Sequence, residues 1–303
     1  MKPSSYNHLR LVLLGVVWGS AFVSLKTAST ALTPSWLLVS RLGLTTLALL
    51  PLALVRRQRH PLAVRWRDFA VLVFLSLVGL TIPFWMVNWA ILHLDTAVTS
   101  ILNSTMPLFV LPLSFFLLQE PTRPLRLLGV LLGFVGVVVL SAPPDGDWSA
   151  APPWPALFVV LAAFCYALGT VVTQRWLLHL DTVVLNLFQF GLAALWATLA
   201  MVVVQDPLPA WPTPWVFLSL LHLGLICSAA AMLVWLALLR DAGSPYSSLV
   251  TYLIPVVAVL IGFLVLDERL DTKALVGTGL VLVGVLLAAT VGNPARSGLG
   301  QTR

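Results

Sequence analysis

The chain is organised as ten long apolar runs separated by short polar segments. A helix needs about 20 mostly apolar residues to cross the hydrocarbon core of a bilayer. The runs approach this length and are continuously apolar, whereas the strands of a membrane barrel alternate between apolar and polar residues. We therefore predict an all-α integral membrane protein with ten transmembrane helices, at residues 9–28, 35–55, 69–92, 96–118, 125–142, 154–174, 183–204, 214–238, 245–266 and 273–291.

Charged residues are scarce, and they avoid the middle of these runs. Asp, Glu, Lys and Arg make up 9% of the 303 residues, against about 25% in a soluble domain. All 11 acidic residues lie at or between the ends of the predicted spans, as the cost of placing a charge in lipid requires. The lipid bilayer is therefore the expected partner of the outer surface.

The basic residues predict the orientation. Of the 17 Lys and Arg residues, 13 fall on the side of the N-terminus, 3 on the opposite side and 1, Arg41, inside a span. Cytoplasmic loops carry such an excess, so we expect both termini in the cytoplasm of a bacterium and the spans in its inner membrane. The same distribution explains the net charge of +6, and no nucleic-acid partner is expected.

The two halves of the chain repeat each other at an offset of 148 residues. Residues 9–142 and 154–291 are the two predicted five-helix units, and residues 292–303 are a predicted flexible tail. An odd number of spans per unit forces the second unit to run in the opposite sense across the membrane, a plan common among alternating-access transporters. The matches include Trp18 with Tyr166, Arg41 with Gln189, Pro107 with Pro255, Glu120 with Glu268, Gly129 with Gly277 and Gly136 with Gly284.

Several motifs recur in order along the chain. They are the run Trp18-Gly19-Ser20-Ala21-Phe22, then Arg41, Pro107, Glu120 and the glycines between 129 and 136, and then Pro255, Glu268 and the glycines between 277 and 284. Together they resemble the drug/metabolite transporter superfamily, in particular its ten-span EamA-type carriers. The resemblance covers about residues 9–291 and implies ten helices around a central cavity, with transport of small metabolites, often efflux of amino acids.

Three predicted spans offer polar or aromatic residues to such a cavity. Trp85, Asn88 and Trp89 share one helical face in the third span, and an amide at that depth needs a hydrogen-bond partner or water. Asn103 in the fourth span and Tyr252 in the ninth are further candidates for substrate binding. Pro107 and Pro255 each remove a backbone donor and are predicted hinges; in each case ordinary helix packing or an ordinary kink is the alternative.

Four aromatic or amide residues and one charge complete the candidate site. Trp18, Tyr166, Gln189 and Trp235 are predicted to line the cavity. Arg41 could meet a substrate carboxylate, since an ionisable residue inside a span is a functional hypothesis by default. Alternatively, it binds helix-end carbonyls or extends its side chain to the membrane surface.

The expected function is secondary transport of small metabolites by a single chain, with amino acids favoured, aromatic and hydrophobic ones above all, and export the expected direction. A multidrug or cation exporter is the alternative, although no acidic residue lies inside a span to relay protons. An intramembrane enzyme is less favoured, because no GxSxG, HExxH or intramembrane acid pair occurs. Neither a metal nor a cofactor is expected, because the two cysteines form no metal-binding cluster.

Overall fold

The computed structural model describes residues 5–57, 64–94, 96–140, 153–209, 211–265 and 272–290, and within these ranges all regular structure is helical. The predicted all-helical architecture is therefore confirmed. Two segments, Ser76–Thr81 and His222–Ala230, are π-helical. The α-helices are α1 Ser5–Ala28, α2 Pro34–Arg57, α3 Trp66–Leu75, α4 Ile82–Ala90, α5 Thr96–Asn103, α6 Met106–Leu118, α7 Pro124–Leu140, α8 Pro153–Trp176, α9 Thr182–Val204, α10 Pro214–Leu221, α11 Ala231–Ala242, α12 Ser244–Ser247, α13 Val250–Val265 and α14 Thr272–Thr290.

Seven stretches of the described residues are long and apolar enough to cross a membrane. They are Ser5–Ala28, Pro34–Arg56, Trp66–Ala90, Thr99–Leu118, Trp154–Trp176, Thr182–Val204 and Pro214–Ala242, and the apolar helices Pro124–Val139 and Leu275–Ala289 are shorter. The predicted ninth span is divided between α12 and α13. The chain is a multi-pass membrane protein, and the count of ten spans stays a prediction. Glu268 and the predicted tail 292–303 lie outside the described residues.

Large apolar side chains cover the outside of the bundle. Leu47, Phe116 and Val203 are 66%, 75% and 81% exposed, respectively. Such a surface is unusual for a soluble monomer, on which contiguous apolar patches stay small. It fits a protein that faces lipid tails.

The two π-helical segments interrupt spans that the sequence predicts as continuous. They occupy related places in the two halves, because residues 76–81 become 224–229 at an offset of 148. A π turn widens the helix and is frequent at functional sites. Thr81 Oγ1 lies 2.8 Å from the carbonyl oxygen of Ser76 and 3.3 Å from that of Ala193. The widened turn is thus tied to α9 of the other half.

The predicted fourth span also breaks, between α5 and α6. Ser104 and Thr105 form the break, and Pro107 stands in the first turn of α6, where its missing N–H costs little. The Ser104 hydroxyl lies 2.8 Å from the carbonyl oxygen of Thr251, so the break contacts the chain of α13. Pro255, in contrast, lies inside α13. Both hinge roles stay predictions.

Glycines let α7 and α14 pack with their backbones in contact. A Cβ added to Gly284 would lie 2.4 Å from the amide nitrogen of Gly133, and one added to Gly129 would lie 2.6 Å from that of Ala288. Small residues at a helix crossing allow this approach in membranes. The fully buried Tyr252 packs its ring on Gly133 and donates its hydroxyl to the carbonyl of Val130 at 2.8 Å.

We expect Gly284→Ala to destabilise the protein, because its new methyl group has no room. Alanine favours a helix interior by roughly 0.5–1 kcal/mol over glycine, but overpacking costs about 1–3 kcal/mol. The measurement is the melting temperature of the purified protein in detergent. The matched control is Gly279→Ala on the same helix, where a Cβ meets nothing within 4 Å and the melting temperature should hold or rise. Equal melting temperatures for the two variants would contradict this packing.

Candidate functional site

A cavity of about 160 Å³ lies at the centre of the bundle. A single water molecule needs roughly 10–15 Å³ of cavity volume. The cavity is therefore large enough for a solute of amino-acid size. Its wall comes from both halves of the chain. The lining residues are Trp18, Ala21, Phe22, Leu25, Arg41, Gly79, Leu80, Phe84, Val87, Asn103, Met106, Tyr166, Gly169, Thr170, Thr173, Gln189, Cys227, Ser228, Met232, Trp235, Val250, Thr251 and Ile254.

The lining residues fall into pairs 148 positions apart. Every one of them except Val250 has its partner in the same wall. The pairs are Trp18 with Tyr166, Ala21 with Gly169, Phe22 with Thr170, Leu25 with Thr173, Arg41 with Gln189, Gly79 with Cys227, Leu80 with Ser228, Phe84 with Met232, Val87 with Trp235, Asn103 with Thr251 and Met106 with Ile254. Corresponding positions of the two halves therefore line the same cavity.

The structure brings six of the ten predicted binding residues to this wall and leaves four away from it. Trp18, Arg41, Asn103, Tyr166, Gln189 and Trp235 line the cavity. Trp85, Asn88, Trp89 and Tyr252 are absent from the lining. Whether the six bind substrate stays a prediction.

The face chosen in the predicted third span is turned away from the cavity. Trp89 stacks near Phe158 of α8, with ring centroids 5.1 Å apart, and near His93 at 4.2 Å. Asn88 is 1% exposed, and neither of its amide atoms has a hydrogen-bond partner among the described residues. The face that does reach the cavity carries Phe84 and Val87. The repeat contains the signal for this, because the partner of Trp235 at an offset of 148 is Val87.

Arg41 points into the bundle. Its Nε donates to Ser228 Oγ at 2.8 Å, and its Cζ lies 4.3 Å above the ring of Phe84. Within the described ranges, no carboxylate lies within 4.0 Å of its guanidinium. Arg41 is the one ionised side chain of the described lining, since Tyr166 and Cys227 are ordinarily neutral at pH 7.

The second π-helical segment, His222–Ala230, supplies backbone carbonyls to the groups that shape this wall. Trp18 Nε1 donates to the carbonyl of Cys227 at 2.9 Å. Thr45 Oγ1 lies 2.9 Å from the carbonyl oxygen of Gly224 and 2.8 Å from that of Arg41. A hydrogen bond thus orients the indole, and another ties α2 to the segment that carries Ser228.

The sequence analysis did not single out Phe84 and Ser228, the two side chains that hold the Arg41 guanidinium. Phe84 lies one residue before the face that was chosen. Ser228 lies in a π turn, where the spacing of an ordinary helix misplaces it. Its pairing with Leu80 in the repeat marks it as a wall position.

The two halves present different chemistry. The first half contributes the charge of Arg41 and the rings of Trp18, Phe22 and Phe84. The second half contributes mainly hydroxyl and amide groups, from Thr170, Thr173, Gln189, Ser228 and Thr251, beside the rings of Tyr166 and Trp235. The wall can hold a solute that has one anionic end and an apolar body.

Helical spans that surround a central cavity, with both halves of the chain in its wall, are typical of a polytopic transport protein. The model of the EamA-like transporter family matches residues 7–142 and again residues 153–290. The chain belongs to this family and is a membrane transporter of small molecules. The resemblance seen in its motifs is thereby confirmed.

Several known proteins are similar over most of the chain. An uncharacterised transporter of Archaeoglobus fulgidus is 26% identical over 94% of this chain and 97% of its own length. Protein PecM of Dickeya dadantii is 29% identical over 76% of each chain, and the uncharacterised inner membrane transporter YedA of Escherichia coli K12 is 24% identical over 91% of this chain and 88% of its own. One crystal structure shares the fold, with a TM-score of 0.77 at 20% identity, covering 94% of this chain and 97% of the other.

We expect Trp18→Phe to destabilise the protein by about 0.5–1.5 kcal/mol, because it removes the hydrogen bond from the indole to the buried carbonyl of Cys227. Melting temperature in detergent is the measurement. Trp85→Phe is the matched control, since Trp85 is 37% exposed and lies outside the cavity, and we expect a change of about 0.5 kcal/mol or less. A larger loss at Trp85 than at Trp18 would argue against the orientation of the indole given above.

Proposed function

We propose that the protein is a secondary carrier that exports small metabolites of amino-acid size, with aromatic and hydrophobic ones favoured, by alternating access between two inverted five-helix halves. The observation that carries the proposal is the paired lining of the cavity. Two similar halves that face one binding site can exchange their conformations and so open it to each side in turn.

Three features support ten spans arranged as an inverted repeat. The family model matches the chain twice, the π-helical segments coincide at an offset of 148, and the helix contacts correspond between halves. The contact of α6 with α8 has its counterpart in that of α13 with α1. We propose that a single chain is the functional carrier, since both halves of the cavity wall belong to the same chain.

The preference for aromatic or hydrophobic solutes follows from the rings of the wall. Phe84 and Tyr166, one from each half, pack edge to face with centroids 5.9 Å apart. Trp18 and Trp235 add two indoles. Aromatic pairs contribute about 0.5–1.5 kcal/mol beyond the burial of area alone.

Three ion pairs at one end of the bundle join the two matched segments. Arg10 and Asp241 lie 2.5 Å apart, Arg56 and Asp181 2.7 Å apart, and Asp68 and His179 3.1 Å apart, the last an ion pair only when the imidazole is protonated. By the distribution of basic residues this end is cytoplasmic. We propose that these three ion pairs form a gate. They hold the cavity closed toward the cytoplasm, and they separate when the cavity opens to that side.

Asp181 remains ionised at neutral pH. Burial raises its pKa, but the backbone amides of Val184 and Val183 and the guanidinium of Arg56 lower it, and the net effect is a pKa below the ordinary value. The stabilisation from this carboxylate is therefore present above about pH 4, the unfolded-state pKa, and is lost as the pH falls through the folded-state pKa.

Transport by the purified protein in liposomes tests the proposal. We expect counterflow of labelled hydrophobic or aromatic metabolites, saturable and dependent on the protein, and no flux in protein-free liposomes. Absence of flux across a broad panel of amino acids, organic acids and organic amines would overturn it.

Removing the ion pair of Arg10 and Asp241 should expose the cavity to the cytoplasm. We expect Asp241→Asn to increase several-fold the rate at which a membrane-impermeant thiol reagent, added on the cytoplasmic side, labels a cysteine introduced by Thr173→Cys. The background carries Cys165→Ser and Cys227→Ser, and the introduced thiol lies in the cavity wall.

The charge-swapped variant with Arg10→Asp and Asp241→Arg is the control for this experiment. It restores an ion pair at the same place, so labelling should return toward the rate of the unmodified gate. If Asp241→Asn leaves the rate unchanged, the Arg10–Asp241 pair is not part of a gate.

A further inference from the structure

We infer that the Arg41 subsite binds the carboxylate of a net-anionic substrate, so that monocarboxylic acids with an apolar or aromatic body are preferred over zwitterionic amino acids and over amines. The class includes deaminated or N-acylated relatives of hydrophobic amino acids. This inference rests on the proposed function and narrows it from small metabolites to organic anions.

The first step is the charge of the cavity. Arg41 is 8% exposed, and its guanidinium faces no carboxylate among the described residues. The eleven acidic residues of the chain all lie at or between the predicted span ends. A cation held inside a membrane without a counter-ion is costly. The ring of Phe84 compensates it in part through a cation–π contact, and an incoming anion would compensate it fully.

The second step is the geometry of the free donors. A guanidinium carries five N–H groups. Its Nε–H is used by Ser228, which leaves the two terminal nitrogens without an acceptor in the part of the chain that the structure describes. Two parallel N–H groups match the two oxygens of a carboxylate. A lysine at this position would supply charge without the planar fork.

The third step is that the subsite is held in place before a ligand arrives. Phe84 packs under the plane of the guanidinium, and Ser228 anchors Nε from the π-helical segment 222–230. Thr45 ties the backbone carbonyls of Arg41 and Gly224 together. Rigid donors lose little freedom on binding, which raises affinity.

The fourth step is that the described lining offers an ammonium group no anionic partner. Among the described lining residues the remaining polar groups are neutral, chiefly Asn103, Thr170, Thr173, Gln189 and Thr251. They can accept a hydrogen bond, but they do not compensate a full positive charge. A zwitterion would therefore satisfy Arg41 while its ammonium group met only neutral acceptors and ring faces. An amine would meet the same neutral groups together with the repulsion of Arg41, and it has no carboxylate to offset that repulsion.

A matched series of ligands tests the inference on the unaltered protein. The probes are 3-phenylpropanoate, phenylalanine, 3-phenylpropanamide and phenethylamine, which are anionic, zwitterionic, neutral and cationic at pH 7 and share one ring. Binding is measured by quenching of tryptophan fluorescence in detergent, and transport by counterflow in liposomes. We expect the propanoate to bind at least tenfold more tightly than the amide and the amine, and several-fold more tightly than phenylalanine.

Two variants locate the preference at Arg41. We expect Arg41→Gln to reduce propanoate affinity at least tenfold, with little effect on the amide, and Arg41→Lys to recover only part of the loss. Lys26→Gln, an exposed residue outside the cavity, removes the same charge and should leave all four affinities unchanged. If Arg41→Gln does not fold, the ligand ranking on the unaltered protein decides.

The inference is overturned if phenylalanine or phenethylamine binds as tightly as the propanoate, or if Arg41→Gln keeps the ranking. Flux of zwitterions or amines with no preference for the propanoate would overturn this substrate class while leaving the carrier proposal intact. Lack of flux for every member of a broad panel would overturn the carrier proposal itself, and the substrate class with it.

Discussion

Lipid tails can neither solvate a charge nor form hydrogen bonds with an unpaired backbone group. This constraint underlies every level of the structure. It requires helices, because only they and closed barrels satisfy their backbone groups within a membrane. It explains why the π-helical segment His222–Ala230 lies where Trp18 and Thr45 can donate to the carbonyls of Cys227 and Gly224. It also explains why the charge of Arg41 is directed away from the lipid and onto the ring of Phe84.

The repeat turns this general constraint into one particular cavity. Corresponding positions of the two halves line the same cavity, so every described wall position except Val250 occurs twice, and the side chains of many of these pairs differ in chemistry. Arg41 corresponds to Gln189, and Phe22 corresponds to Thr170. The two halves of the wall therefore have similar backbones but differ in charge. We propose that the difference in charge selects the substrate, and that the similarity of the backbones permits exchange between two states.

The sequence predicted the helices well and the cavity in part. Long apolar runs are unambiguous, and chemistry that is rare inside a membrane, such as Arg41, stands out. The face with Trp85 and Asn88 was misplaced because periodicity identifies a face without saying which neighbour it meets. The π turns were invisible, because nothing in their composition differs from an ordinary apolar helix. Applying the repeat register strictly would have pointed to Val87 as the partner of Trp235.

Alternating access by two halves about a shared cavity is the central claim, and paired spin labels test it most directly. One pair at Tyr6 and Trp176 reports on the end with the ion pairs, and another at Thr30 and Trp211 reports on the opposite end; in each pair the first residue lies in the first half of the chain and the second residue in the second half. The account predicts that substrate shifts the two distance distributions, measured by pulsed dipolar spectroscopy in lipid, in opposite directions. Distances that stay fixed, or that change together at both ends, would contradict it.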